Sequence, residues 1–176
     1  MLVSFPVDMT SWPVPGAHGF TAWNLDAVTA ATPLGLVKEA GQGGLAAIAD
    51  QLPSYGALFL GSVGGCIGEA SAAAVIVGGL YLIWRGFIPW IVPPVYLAGL
   101  ALVTAIAWIV DPTTYLNPLY PVLAGGAMLG AWFMVTDMTT TPMSVKGRIV
   151  FAAAAGVLAG VIRLFGGFPE GVSYSI

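Results

Sequence analysis

"FLGSVGGCIGEASAAAVIVGGLYLIWR" (Phe59–Arg85) is the stretch on which the fold turns. The apolar segment that contains it, about Leu58–Trp84, exceeds the roughly 20 residues needed to cross a bilayer. Yet Gly61–Glu69, "GSVGGCIGE", breaks it with glycines and a carboxylate. Irregular backbone at membrane depth is tolerated only where it packs against protein or lines a cavity. A helix broken here therefore predicts half-helices around a pocket, with Gly64 and Gly65 allowing close backbone approach. Simple close packing of helices through glycine is the competing reading. Glu69 carries the same ambiguity: an ionisable group in an apolar run marks an ion, proton or ligand path, or else it caps the half-helix that follows through Ala70 and Ser71.

The composition points the same way. The chain of 176 residues is 58% hydrophobic and only 7% charged, with a mean hydropathy of +0.91. Soluble domains carry roughly 25% charged residues, so this chain cannot cover itself with polar surface. The class is all-α integral membrane: a multi-span helix bundle with broken, glycine-rich helices. A net charge of −3 without a basic cluster excludes nucleic acid as a partner. The single cysteine, Cys66, excludes an internal disulfide and a cysteine-held iron–sulfur cluster; it reads as a small packing residue. The single histidine, His18, argues against a haem or zinc site.

Outward from the opening stretch, three further apolar segments follow, at about Pro89–Val110, Pro121–Thr136 and Arg148–Phe165. The third segment is short and glycine-rich and runs into "TDMTTTPMS" (Thr136–Ser144), where Pro142 prevents a continuous helix. The last residues, "EGVSYSI", open another apolar run, so the chain reads as a fragment with a fifth helix cut short. Residues 1–57 are less membrane-like, with short helices predicted at Pro33–Ala40 and Gly44–Leu52. The division is thus 1–57 and 58–176. Arg85, Lys146 and Arg148 fall in the loops after segments one and three, whereas Asp111–Tyr120 has no base. The positive-inside rule puts the basic loops in the cytoplasm and Asp111–Tyr120 outside. Residues 1–57 then lie outside as well, and Arg163 lies toward the outer side. Trp84, Trp90 and Trp108 suit interfacial belts.

Two polar stretches carry the candidate chemistry. In "DAVTAATPL" (Asp26–Leu34), Thr32 precedes Pro33 and is pushed out of the helical region. Pro33 is preset for the first helical position, so Thr32 is the N-cap of "PLGLVKEA". Locally that is a cap and nothing more; a helix start is also a favourable place for a phosphate. In "TDMTTTPMS", hydroxyls and free N–H groups suit a polar ring edge or an anion, and Asp137 can accept from a donor. An ordinary polar turn is the plain alternative. The glycine-rich stretch matches neither dinucleotide nor P-loop spacing. No catalytic triad or metal-ligand cluster is present, so no residue is assigned as catalytic or metal-binding.

Taken together, these stretches resemble the D-subunit family of Rnf electron-transport complexes, related to the B subunit of the sodium-translocating NADH:quinone reductase. "DAVTAATPL" resembles the flavinylation motif D-x-x-[ST]-G-A-T, with Ala30 in place of the glycine. Phe59–Arg85 resembles the family's glycine-rich helix, and Gly126–Ile176 resembles its C-terminal region. The resemblance covers about residues 20–176 and implies a urea/ammonium channel-like bundle, of which this chain is the C-terminal half. It implies an FMN joined by a phosphoester to Thr32, attached by a flavin transferase that reads Asp26 and Thr29; riboflavin is a further candidate. Gly64, Gly65, Glu69, Asp137 and Thr141 are the remaining cofactor-site candidates. The implied role is a redox subunit, without independent activity, of an ion-translocating ferredoxin:NAD oxidoreductase in the bacterial inner membrane, with Thr32 outside. Its partners would be the other subunits and membrane lipid. The quinone reductase subunit and a flavin-free solute channel are the alternatives.

Overall fold

The computed structural model describes residues 11–13, 29–31, 33–40, 52–61, 71–112, 114–124, 126–166 and 172–176. The architecture is helical. The exception among these residues is a small antiparallel ladder of β1 (Ser11–Pro13) and β2 (Thr29–Ala31), in which Trp12 pairs with Ala30. Helix α1 (Pro33–Ala40) follows with the bounds the Thr-Pro pair dictates. The helix expected at Gly44–Leu52 lies almost wholly outside the described residues.

The first apolar segment is broken as its glycines require. Helix α2 (Tyr55–Leu60) stops at Gly61, whose φ of 95° lies in the left-handed region that favours glycine. Helix α3 (Ala72–Trp84) restarts at Ser71, whose hydroxyl accepts from Ala74 N–H at 3.3 Å. The same hydroxyl donates to the Phe59 carbonyl at 3.4 Å, tying the two halves together. Serine thus caps the second half-helix, the role that had been open to Glu69.

Helices α4 (Val92–Val110) and α7 (Val145–Phe165) are long and apolar enough to cross a membrane. Helix α7 starts three residues before the expected Arg148 because Ser144 caps it, accepting from Gly147 N–H at 3.1 Å. The two helices form the tightest contact in the bundle, and they run parallel. A Cβ on Gly99 would meet Ala153 and Val157, one on Gly156 would meet Tyr96 and Leu100, and one on Gly160 would meet Val103. Positions thus increase together along both helices. Small residues on the α7 seam let the backbones approach, the usual basis of helix association where lipid offers no hydrophobic driving force.

Parallel neighbours require the chain to return between them, and the third segment does so in pieces. Helix α5 (Leu119–Leu123) and the turn α6 (Ala127–Leu129) lead into a π-helical turn at Gly130–Met134. Such turns concentrate at functional sites. The core consists of stripes at helical spacing: Val92, Tyr96 and Leu100; Ala127, Ala131 and Val135; Ala152, Ala155 and Ala159. Val172 of the short helix α8 (Val172–Ser175) plugs the same core beside Gly130. Two polar side chains extend these buried stripes. Thr104 donates to the Leu100 and Ala101 carbonyls, and Arg163 donates to the Pro121 carbonyl, pinning α5 to α7. On the outside, Leu80, Trp84, Trp90, Leu102, Ile106 and Ile109 are exposed, an apolar surface suited to lipid.

Candidate functional site

Leu34, two residues beyond Thr32, packs at one end of the bundle, and Asp137 and Thr141 lie at the other. Asp26, Thr32, Gly64, Gly65, Cys66 and Glu69 lie outside the described residues. Thr29 is located by its backbone, pairing with Pro13 in the ladder.

At the first end, the residues that follow Thr32 are held firmly. Helix α1 begins at Pro33, and Leu34 is buried in a cluster with Leu58 of α2, Tyr120 of α5 and Ala124 just after it. Leu52, Leu116 and Leu123 pack around it. The Tyr55 and Tyr120 rings meet edge to face at 5.9 Å, a geometry that favours aromatic pairs. The sequence pattern that sets this contact is simple: proline presets the helix, and its second residue is the apolar one. Chain topology does the rest, because Leu58 and Tyr120 come from segments far apart in sequence. Arg163, read from the sequence only as a charge near the outer side, stands beside this cluster through its bond to Pro121.

The second end joins the turn after α3 to the turn before α7. Gly86, Phe87, Ile88 and Pro89 line a cavity of about 200 Å³ with Thr136, Met138, Thr141 and Arg148. The two basic loops thus share one end of the bundle, as their charges imply. Gly86, at φ 78°, makes the sharp turn out of α3. Thr136 is buried and donates to the Trp132 carbonyl at 2.8 Å, which bonds the open end of the π-turn. Thr141 donates to the Val135 carbonyl at 2.9 Å and the Asp137 carbonyl at 2.6 Å. Arg148 donates through Nε to the Pro142 carbonyl at 3.1 Å. The polar turn "TDMTTTPMS" is therefore knitted by its own hydroxyls, and proline supplies a carbonyl that orients the arginine.

Asp137 is exposed and does not line this cavity. It accepts from Thr139, and that hydroxyl holds the carboxyl below its usual range; slight desolvation opposes the shift and backbone N–H groups of Thr139 and Met138 reinforce it. Thr141 and Asp137, neighbours in sequence, are thus separated in role. Sequence reasoning used Arg148 only for orientation. Its place four residues beyond the helix cap, next to a threonine-rich turn, is the signal that points to the cavity.

The two ends are one helix apart. Helix α4 has 19 residues, about 28 Å at 1.5 Å per residue. The Leu34 cluster and Thr141 therefore belong to separate sites. No group of three or more His, Cys, Asp or Glu suited to a metal occurs among the described residues.

Comparison with known proteins joins these features. The chain is 44% identical over 180 residues to the D subunit of the proton-translocating ferredoxin:NAD(+) oxidoreductase complex of Clostridium ljungdahlii, covering 100% of this chain and 52% of that protein. It is 44% identical over 172 residues to the D subunit of the Na(+)-translocating counterpart of Acetobacterium woodii, covering 96% and 49%. It is 40% identical over 185 residues to the D subunit of the ion-translocating oxidoreductase complex of Alcanivorax borkumensis, covering 100% and 54%. The chain spans about half the length of these curated relatives. The model of the NQR2, RnfD, RnfE family matches residues 1–176 in full. That match covers the helical bundle with its parallel apolar helices and segmented return, and the sequence motif "DAVTAATPL"; the chain belongs to the NQR2, RnfD, RnfE family.

Proposed function

We propose that this chain is part of an electron-relaying membrane subunit of an ion-translocating ferredoxin:NAD oxidoreductase complex, with FMN held by a phosphoester at Thr32. The observation that carries the reading is the burial of Leu34 against Leu58, Tyr120 and Ala124. It anchors the residues just after the motif on the bundle, where a free tail would leave a redox group unpositioned. The described residues fit such a group: α1 starts at Pro33, so position 32 is by sequence the helix N-cap, where N–H groups and the helix dipole favour a phosphate. The flavin would supply one- and two-electron transfer. The chain's own part is to hold the attachment point, through Leu34, and to limit water around it, through Tyr55, Tyr120 and the leucines of the cluster. Asp26 and Thr29 are read as recognition positions for the flavin transferase.

The remaining assignments belong to the same proposal. Residues 1–57 form an external segment and residues 58–176 a multi-pass domain of the bacterial inner membrane. Parallel α4 and α7 with a return between them, and basic loops sharing one end, support that topology. The other subunits of the complex and lipid are the partners. The family also includes the quinone reductase subunits, and the names of the relatives above favour the ferredoxin:NAD reading.

The test is co-expression of the complete subunit with a flavin transferase, followed by denaturing gel electrophoresis. A fluorescent flavin band that disappears in Thr32→Val is expected. A band that persists in Thr32→Val, or no band in the wild type, overturns the assignment.

A further inference from the structure

We infer that the cavity between the 86–89 turn and the 136–148 turn binds a phospholipid headgroup, with the phosphate on Arg148. Arg148 uses Nε on the Pro142 carbonyl. That bond fixes the plane of the guanidinium and leaves the N–H groups of both terminal nitrogens without a hydrogen bond or ion pair among the described residues. A planar, oriented guanidinium is the side chain best matched to phosphate oxygens.

The rest of the lining narrows the class. The Thr136 and Thr141 hydrogens are engaged by backbone carbonyls at 2.6–2.9 Å, so both hydroxyls offer lone pairs. These suit a ligand that carries a donor beside its anion, such as the ammonium of phosphoethanolamine or a hydroxyl of phosphoglycerol. The volume of about 200 Å³ is below the roughly 300–1,000 Å³ of sites for drug-sized ligands, which favours a headgroup over a ring cofactor.

Position decides between a lipid and a soluble phosphate ester. The cavity lies at the ends of α3, α4 and α7, and its rim includes exposed Phe87 and Met138. Trp84 and Trp90, 81% and 69% exposed, bracket the 86–89 turn in sequence. Exposed tryptophans at the ends of apolar helices sit at headgroup depth. A headgroup in the cavity can leave its acyl chains along the exposed Leu80, Tyr81 and Trp84 face of α3.

The experiment measures lipid retention by native mass spectrometry and the lipid-dependent rise in melting temperature of the complete subunit in detergent. The probes are phosphatidylglycerol, phosphatidylethanolamine, phosphatidylcholine and soluble glycerol phosphate. The wild type is expected to retain the first two. Arg148→Gln is expected to weaken them at least roughly tenfold, the size of one charge-assisted hydrogen bond. Lys146→Gln, with the same charge change outside the cavity lining, is expected to bind as the wild type does. Ile88→Trp fills the cavity while sparing the Arg148–Pro142 bond; it is expected to reproduce the loss, and it decides the matter if Arg148→Gln does not fold. Unchanged binding in Ile88→Trp, or equal loss in Lys146→Gln, overturns the proposal. Saturation by glycerol phosphate at the lipid's own affinity overturns the lipid as occupant.

Discussion

Replacing Gly156 with alanine tests the central contact of the bundle. The new Cβ would lie 2.2 Å from the Tyr96 carbonyl oxygen, 3.0 Å from the Tyr96 carbonyl carbon and 3.2 Å from the Leu100 nitrogen. All three are backbone atoms of α4, so no side-chain rotation relieves the overlap. Heavy atoms settle at about 3.5 Å, so α4 and α7 must separate locally by about 1 Å. A gap of that size forfeits roughly a quarter to a half of each contact's attraction, here along a seam that includes Gly99 and Gly160. Overpacking of this kind costs about 1–3 kcal/mol. Alanine's helix preference over glycine returns about 0.8–1.0 kcal/mol. Because every clashing atom is backbone, the overpacking cost falls in the upper part of its range, about 2–3 kcal/mol; the net expectation is then a loss of about 1–2 kcal/mol, or a melting temperature lower by about 2–8 °C for a chain of this size. Tryptophan fluorescence during heating in detergent measures it. Gly56→Ala in α2 is the control, since its nearest non-neighbour atom is 4.0 Å away; only the helix preference acts there, and the melting temperature should hold or rise. Gly156→Ala melting at or above the wild type would refute the close parallel packing.

Two further outcomes follow from single side chains. Arg163→Met removes the donor to the buried Pro121 carbonyl and should destabilise the chain by about 1–3 kcal/mol, with faster proteolysis between Asp111 and Gly126 as α5 loosens from α7. Thr139→Val should raise the Asp137 pKa toward its ordinary value, visible in carbon-13 NMR of the carboxyl, because the Thr139 hydroxyl is the main cause of its depression. The sign is that of a lowered carboxylate: the contact favours the folded turn above the ordinary carboxylate range and is lost as pH falls through the depressed value. A Thr139→Val protein whose Asp137 titrates as before would remove that contact from the account.

Local sequence determined a good deal of this protein. Thr-Pro set the start of α1, Gly61 ended α2, and serines at 71 and 144 began α3 and α7, because caps and breaks act over three or four residues. The long apolar runs and the few basic residues marked the membrane character and the loops that share an end. The family resemblance was legible in motifs that are contiguous in the chain. What sequence could not show was contact between distant segments. Glu69 read from the sequence as a possible cap of the second half-helix, and the Ser71 bonds to Ala74 and Phe59 give that place to the serine. Thr141 and Asp137, close together in the motif, parted because a turn closed by its own hydroxyls sends one inward and the other to solvent. Leu34 became an anchor, and Arg148 a cavity wall, only when segments remote in sequence packed together. Side-chain burial is a property of that packing, and the local pattern specifies which residues can be buried without specifying against what.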